Sequence, residues 1–116
     1  MSITIKRVYD EPDETDGFRV LVDRLWPRGL TKDKIKIDLW LKEISPSNEL
    51  RKWAHKHPEK CAEFKEKYFA ELRDHDSEVK ELIDKSKNVS VTLVYASKNI
   101  ENNNASALRD YLLSIS

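Results

Sequence analysis

The sequence predicts an α/β protein, a single-domain sandwich in which helices flank a mostly parallel sheet of about four strands. Two short apolar runs, residues 18–22 and 89–96, are rich in β-branched side chains and are typical of strands covered on both faces. A long segment with helical periodicity separates them, and parallel neighbours need such a crossover. The 116 residues suffice for one hydrophobic core and are too few for two, so residues 1–116 are interpreted as one domain.

Three strands are expected before the helical segment. Residues 3–6 alternate apolar and polar side chains and Val8 continues the pattern, as in an edge strand with one face in water. Residues 10–17 form an acidic loop with Pro and Gly, and the strand at 18–22 follows it. Residues 35–44 are ambiguous, because their apolar side chains alternate as in a strand but also recur at helical spacing. We predict a short strand there.

Four helices are expected, and the predicted element order is β-β-β-α-α-α-β-α. The first helix begins at residues 46–47, the second has Pro58 in its first turn, the third follows residues 76–77 and ends near Asn88, and the last begins at about Asn103. The predicted inward-facing residues are Leu50, Trp53 and Ala54, then Cys61, Phe64, Tyr68 and Leu72, then Val79, Leu82 and Ile83, and finally Ala105, Leu108, Leu112 and Ile115.

The charge balance argues against two classes of partner. Lys and Arg total 21 and Asp and Glu total 21, so no long-range field draws the chain to nucleic acid or to an acidic membrane surface. Specific nucleic-acid binding would need a segregation of charge that composition does not reveal. The single Cys61 cannot form an intramolecular disulfide, and no signal segment or long apolar span is visible. We therefore expect a cytoplasmic protein that binds neither nucleic acid nor membrane.

Candidate ligand-binding residues follow the two buried strands. In an open parallel sheet the ligand crevice lies beyond the carboxyl ends of the strands, where helix N-termini favour anions. The loop after Val22 carries guanidinium groups and a carboxylate, and the loop after Tyr95 carries amides, a hydroxyl and an ammonium group. The candidates are Asp23, Arg24, Trp26 and Arg28 in the first loop and Ser97, Lys98, Asn99 and Asn103 in the second.

These side chains suit a phosphate, carboxylate or nucleotide-like group. In this interpretation the three cations hold the negative charge, and Asp23 is the candidate catalytic residue as a proton acceptor. Trp26 stacks on a planar group, and the amides of Asn99 and Asn103 position it. Ser97 is a weaker candidate, a nucleophile without an assigned base, so hydrolysis is not predicted.

Each candidate also has a structural interpretation. Asp23 and Arg24 could form an ion pair at a strand end, as charges at sheet termini commonly do. Trp26 and Trp40 could pack at a rim, which is the commoner fate of an indole near a surface. The Asn run 102–104 could cap the last helix, because Asn is a preferred N-cap residue. Only the convergence of both loops favours a binding site.

Other motifs are weaker. Cys61 lies on the apolar stripe of its helix without an evident base, so we interpret it as a packing residue rather than a nucleophile. His55 and His57 are two residues apart rather than four, so no metal site is predicted. Gly17 and Gly29 are the only glycines, which excludes a dinucleotide-binding fingerprint and a P-loop. No cofactor is expected.

Three blocks of the sequence carry a family resemblance. They read FRVLVDRLWPRGL, LWLKEISPSNELRKW and VTLVYASKNIENNNA. In this order and spacing the chain resembles the YeaO-like branch of the DUF488 family, small bacterial proteins of unknown function, over essentially its whole length. The resemblance implies a Rossmann-like α/β domain and no established activity.

The resemblance also bears on the site. The broader family that this chain resembles has a VD-x-R...PR motif after one central strand and a Cys-His or Asn-His motif after another. The resemblance matches the first motif to residues 23–28 and the second to residues 97–104 of this chain. Where relatives typically carry His in an Asn-His-Ala step, this chain has Asn104, whose amide cannot exchange a proton near neutral pH. If that His is an acid or base in relatives, this chain is impaired or works differently. Relatives also often have a His-Asp-Pro step after the helix that contains Trp53, whereas this chain has Lys56-His57-Pro58.

Two functional hypotheses from different classes follow. The first is a cytosolic domain that binds a small anionic metabolite, with or without acid–base or transfer chemistry on it. The second is a non-enzymatic interaction or stress accessory module, in which Trp26, Trp40 and Trp53 form an exposed patch for a protein partner. A partner, rather than small anions, would then protect these indoles from quenchers.

Overall fold

The computed structural model describes residues 2–116 and places four strands of this part of the chain in one sheet. The strands are β1 (Ile3–Arg7), β2 (Phe18–Leu21), β3 (Leu39–Trp40) and β4 (Val91–Tyr95), in the spatial order β1-β4-β2-β3. All neighbouring pairs are parallel, which confirms the predicted α/β class, and β1 lies at an edge as expected. The carboxyl ends of the strands therefore meet at one end of the sheet.

Among residues 2–116 the chain forms five α-helices: α1 (Lys32–Ile35), α2 (Asn48–Lys56), α3 (Cys61–Leu72), α4 (Asp76–Asn88) and α5 (Asn104–Ile115). Helix α2 begins where the sequence predicts, because the Ser47 hydroxyl accepts a hydrogen bond from the Leu50 N–H at 3.1 Å. The same hydroxyl donates to the Glu71 carboxylate, so the cap also joins α2 to α3. No helix within the described residues is both long and apolar enough to cross a bilayer.

The two faces of the sheet are covered unequally. Val20 and Leu93 belong to the main core, to which α2, α3, α4 and α5 all contribute buried residues. Arg19 and Val94, one residue away along each strand, point to the opposite face, because successive strand residues alternate. That face is covered by α1, through Ile35, and by neighbouring loops. The longer helices therefore all pack against one face of the sheet.

The short strand predicted within residues 35–44 is confirmed as β3, whereas α1, which ends inside this segment, is a helix that the sequence did not predict. Only β3 is a strand, while Ile35 ends α1 and residues 42–44 form a 3₁₀ turn. Lys36 stops α1 in the left-handed conformation, with φ of 45°. The apolar alternation has another cause: the segment passes around the sheet, so Ile35 is buried in the smaller core and Leu41 in the main one.

Two helix details also differ from the prediction. Pro58 lies in the turn before α3 rather than in the first turn of that helix. In this turn the Lys60 N–H donates to the His57 carbonyl at 3.0 Å. Ile115 does not face inward, since it is 50% exposed in the last turn of α5. Leu112, three residues earlier, is fully buried, so the inward stripe of α5 ends there.

Candidate functional site

A cleft of about 780 Å³ opens at the carboxyl end of the sheet. Its walls are the loop after β2, the loop after β4, the N-terminal half of α5, the C-terminal part of α2 and the start of α3. The structure places all eight residues predicted for the site on its lining: Asp23, Arg24, Trp26, Arg28, Ser97, Lys98, Asn99 and Asn103. Two loops that are distant along the chain therefore face one space, as parallel strands require.

The cleft is cationic although the chain as a whole is neutral. Within residues 2–116, its lining holds seven Lys or Arg side chains, namely Arg24, Arg28, Arg51, Lys60, Lys65, Lys98 and Arg109. The same lining holds three carboxylates, those of Asp23, Glu101 and Asp110. One cation and one carboxylate neutralise each other, because Lys65 forms an ion pair with Asp110 at 2.6 Å. The remaining groups give the cleft a positive excess.

Asp23 is held by donors that carry no charge. One carboxylate oxygen accepts a hydrogen bond from the Ala96 N–H and the other from the Asn104 amide, both at 2.8 Å. The Asn104 amide also donates to the Val22 carbonyl at 3.0 Å, which joins the start of α5 to the end of β2. Burial raises the pKa of Asp23 above its ordinary value near 3.8, and these hydrogen bonds and the charge of Arg51 oppose the rise without cancelling it.

The predicted cations of the loop after β2 differ in what they contact. Arg24 is half-buried and donates to the carbonyls of Ser45 and Pro46, both at 3.3 Å, so it does not form the alternative ion pair with Asp23. Arg28 is exposed, and its backbone carbonyl accepts a hydrogen bond from the Tyr9 hydroxyl at 3.1 Å. Among the described residues its guanidinium forms no ion pair or hydrogen bond. Arg24 therefore supports the loop, while Arg28 presents a free cation to the cleft.

The three tryptophans are half-buried, so the expectation of an exposed indole patch is wrong in its exposure. Trp26 and Trp40 meet edge to face with ring centres 5.4 Å apart, and both N–H groups donate to backbone carbonyls inside the protein. Trp53 lies against His57 at 4.9 Å and beneath the Lys67 ammonium at 5.0 Å. The packing interpretation of Trp26 and Trp40 is confirmed, although Trp26 still lines the cleft.

The amides of the loop after β4 organise the loop itself. The Asn99 side-chain oxygen accepts hydrogen bonds from the Glu101 and Asn102 N–H groups, at 3.1 and 2.9 Å. Asn103 caps α5, because its side-chain oxygen accepts from the Ser106 N–H at 2.8 Å and its amide donates to the Asn99 carbonyl. The capping interpretation of the Asn run is thus confirmed for Asn103. Ser97 and Lys98 are exposed at the rim.

The wall formed by α2, α3 and α5 was not predicted from the sequence. Its polar residues are Arg51, His55, His57, Lys60, Cys61, Lys65, Ser106, Arg109 and Asp110, and they adjoin Asn104 of the predicted loop after β4. Helical spacing places several of these residues on common helix faces. The neighbouring sequence does not indicate that those faces lie beside the carboxyl end of the sheet. Cys61 is half-buried on this wall rather than buried in the core, with its thiol 3.6 Å from the Pro58 carbonyl. Among residues 2–116, no three His, Cys, Asp or Glu side chains lie close enough to hold a metal ion.

Comparisons with known proteins point to one family. A family described as "Inactive DUF488-N3 subclade" matches residues 2–115. Uncharacterized protein YeaO of Escherichia coli (strain K12) is 49% identical over 115 residues, which cover 99% of this chain and 100% of that protein. Uncharacterized protein Rv3073c of Mycobacterium tuberculosis (strain ATCC 25618 / H37Rv) is 39% identical over 112 residues, which cover 95% of this chain and 92% of that protein. No solved structure matches the chain.

Proposed function

The chain belongs to the DUF488 family, in the subclade described as inactive, and from this premise we propose that it binds a small anionic ligand without transforming it. The observation that carries the proposal is the positive excess of the cleft in a chain of zero formal charge. Cations concentrated at the carboxyl ends of parallel strands attract phosphate, carboxylate or nucleotide-like groups. The volume of about 780 Å³ is in the range of small-molecule sites.

Three of the cations are suited to hold the anion. Arg28 and Lys98 are exposed on the two facing loops, so a ligand between them contacts both. Arg51 lies on the opposite wall, and its charge reaches Asp23. Arg24 attracts the anion through its charge but does not contact it, because its guanidinium already donates hydrogen bonds to two backbone carbonyls. A planar guanidinium such as that of Arg28 binds a phosphate or carboxylate with two parallel hydrogen bonds.

The surroundings of Asp23 support binding without acid–base catalysis by this residue. Acid–base chemistry commonly pairs two titrating side chains, and the side chain that donates to the Asp23 carboxylate is the amide of Asn104, which is neither an acid nor a base. That amide holds the carboxylate in place but does not exchange a proton near neutral pH. Ser97, the other candidate, accepts a hydrogen bond from the Asn99 N–H and has no base beside it. The single Cys61 fits a cytoplasmic location, which is part of the proposal.

The proposal is tested with inorganic phosphate and pyrophosphate as probes, by thermal denaturation and isothermal titration calorimetry. We expect both anions to raise the melting temperature and to bind with an affinity that falls as salt is added. Arg28→Ala should weaken binding about tenfold or more, since charge-assisted hydrogen bonds contribute about 1.5–3 kcal/mol each. Its stability without ligand should change by less than about 0.5 kcal/mol.

Arg73→Ala is the matched control, because Arg73 is also exposed but lies outside the cleft. Equal loss of affinity in both variants would show that the anions bind through general charge rather than in the cleft. Absence of any stabilisation by phosphate and pyrophosphate would reject the proposal. Unfolding of Arg28→Ala would assign that residue a structural role and remove its support for the site.

A further inference from the structure

We infer that the ligand of the cleft combines an anionic group with hydroxyl or amino donors, as a phosphorylated sugar does, and that Asp23 accepts a hydrogen bond from one of those donors. The inference rests on the proposed function and names the chemical class of ligand for the same site. Within residues 2–116, Asp23 is the carboxylate of the cleft that is neither at the rim nor paired with a cation.

The three carboxylates of the cleft lining have different surroundings. Glu101 is exposed in the loop after β4, and Asp110 is neutralised by Lys65. Asp23 is half-buried, and within residues 2–116 no Lys, Arg or His nitrogen lies within 4.0 Å of its carboxylate. A purely anionic ligand gains nothing from such a group, because like charges repel.

The Asp23 carboxylate keeps unused acceptor capacity toward the cleft. An ionised carboxylate has about four lone-pair sites, and Ala96 and Asn104 supply one donor to each oxygen. Asp23 lines the cleft, so a ligand there reaches the remaining sites. Because partial burial disfavours the charged form, one more donor stabilises the carboxylate more than it would in water.

The cations and the carboxylate therefore select different parts of one ligand. Arg28 and Lys98 bind the anionic group, and Asp23 binds a donor on the rest of the molecule. A ligand that lacks a donor leaves the spare acceptor sites of Asp23 unused and therefore forms about one hydrogen bond fewer in the cleft. A phosphate ester with hydroxyl groups satisfies both requirements, whereas methyl phosphate satisfies only the first.

The test compares methyl phosphate with ribose 5-phosphate by isothermal titration calorimetry on the intact protein. We expect ribose 5-phosphate to bind at least about fivefold more tightly, the effect of roughly one additional hydrogen bond. In Asp23→Asn the preference should fall to about twofold or less. Methyl phosphate should bind this variant as tightly as the wild type or more tightly, because a repelling charge is gone.

The outcomes separate the inference from the proposed function. Equal binding of the two esters to the wild-type protein would overturn the inference while leaving anion binding intact. Equal weakening of both esters in Asp23→Asn would also overturn it, because Asp23 would then act on the fold of the cleft. Failure of inorganic phosphate and of both esters to bind would remove the proposed function and the inference together. If Asp23→Asn does not fold, the wild-type comparison alone decides.

Discussion

Strand β2 has an aspartate just beyond each of its ends, and the protein treats the two carboxylates in opposite ways. Asp16, before the strand, pairs with Arg19 at 2.5 Å and with Lys6 at 3.2 Å. Burial acts to raise the pKa of Asp16, but hydrogen bonds from the Asp13 N–H, Lys6 and Arg19 outweigh it and hold the pKa below 3.8. Asp23, after the strand, meets neutral donors and has a raised pKa.

The arginines near the two ends of β2 differ in the same way as the two aspartates. At the amino end, Arg19 donates to the Ile35 carbonyl at 2.8 Å as well as to Asp16, so the charges of this pair are satisfied within the protein. At the carboxyl end, Arg24 adjoins Asp23 in the chain but donates to backbone carbonyls instead. Asp23 and Arg24 are therefore not paired with each other, and within residues 2–116 neither forms an ion pair with another side chain.

Replacing the glycine near each end of β2 by alanine should produce the largest difference in stability between the two ends. Gly17 follows Asp16 and has φ of +68°, and a Cβ there would lie 2.3 Å from the Ser90 carbonyl oxygen. Because that oxygen also accepts the Phe18 N–H at 2.8 Å, it cannot move without breaking the sheet. Gly17→Ala should cost more than about 5 kcal/mol or prevent folding. Urea denaturation followed by circular dichroism measures the loss.

The control for this prediction is Gly29→Ala in the cleft loop. Gly29 has φ of +81°, but a Cβ there would have no atom within 4 Å. Its cost should be limited to backbone strain of about 1–2 kcal/mol. Equal effects of the two substitutions would mean that the amino end is no more tightly packed than the carboxyl end.

Removing one guanidinium from each end tests the same contrast through charge. Arg19 is 3% exposed, and Arg19→Met leaves the Ile35 carbonyl without this partner and Asp16 without its closest cation. Breaking a buried pair in this way costs about 3–5 kcal/mol. Arg24→Met should cost about 1 kcal/mol, because it removes two long hydrogen bonds from a half-buried residue. Chemical denaturation of both variants at one pH gives the comparison, and a larger loss for Arg24→Met would reverse it.

The sequence predicted the cleft loops better than it predicted the structural pair. Asp23 and Asn103 were identified because each follows a buried apolar strand, and parallel strands bring such loops together whatever their order. Arg19 was included in an apolar strand, and Asp16 in a loop, so their contact was not foreseen. A charged residue can point to either face of a strand, and the partner available on each face decides which. For Arg19 that partner is the Ile35 carbonyl of α1, which is distant along the chain.

The opposite wall of the cleft shows the same limit. Arg51 and His55 are four residues apart on α2 and therefore share a face. Their contribution to the cleft depends on how α2 docks against α3, and that docking uses the contact between Ser47 and Glu71. Such a contact across 24 residues has no local signature in the sequence. The loops were thus predictable from strand composition, and the wall was not.

A smaller effect is expected for Asn104, which links the carboxyl end of β2 to the start of α5. Asn104→Ala removes the hydrogen bonds to the Val22 carbonyl and to Asp23, at a cost of about 1–2 kcal/mol. Loss of a donor should also raise the pKa of Asp23 further. Urea denaturation measures the first effect, and the carboxyl chemical shift of Asp23 against pH measures the second. Asn102→Ala, at an exposed position, should change neither, and an unchanged Asp23 titration in Asn104→Ala would contradict the assigned contact.

The smallest expected effect is in the pH dependence of stability, where the two carboxylates should act with opposite sign. The pKa of Asp16 is lowered in the folded state, so its contribution is present above about pH 3.8 and is lost as the pH falls through the folded value. The pKa of Asp23 is raised, so the folded protein holds a proton that the unfolded chain has released, and stability falls as the pH rises from about 3.8 through the folded value.

Single substitutions separate these two contributions. The stability advantage of the wild type over Asp16→Asn should shrink as the pH is lowered from 7 to 3, whereas its advantage over Asp23→Asn should grow over the same titration. Urea denaturation at half-unit pH steps measures both differences. Slopes of the same sign would mean that the protein itself stabilises Asp23, like Asp16, in its charged form, and the contrast between the two carboxylates would be lost.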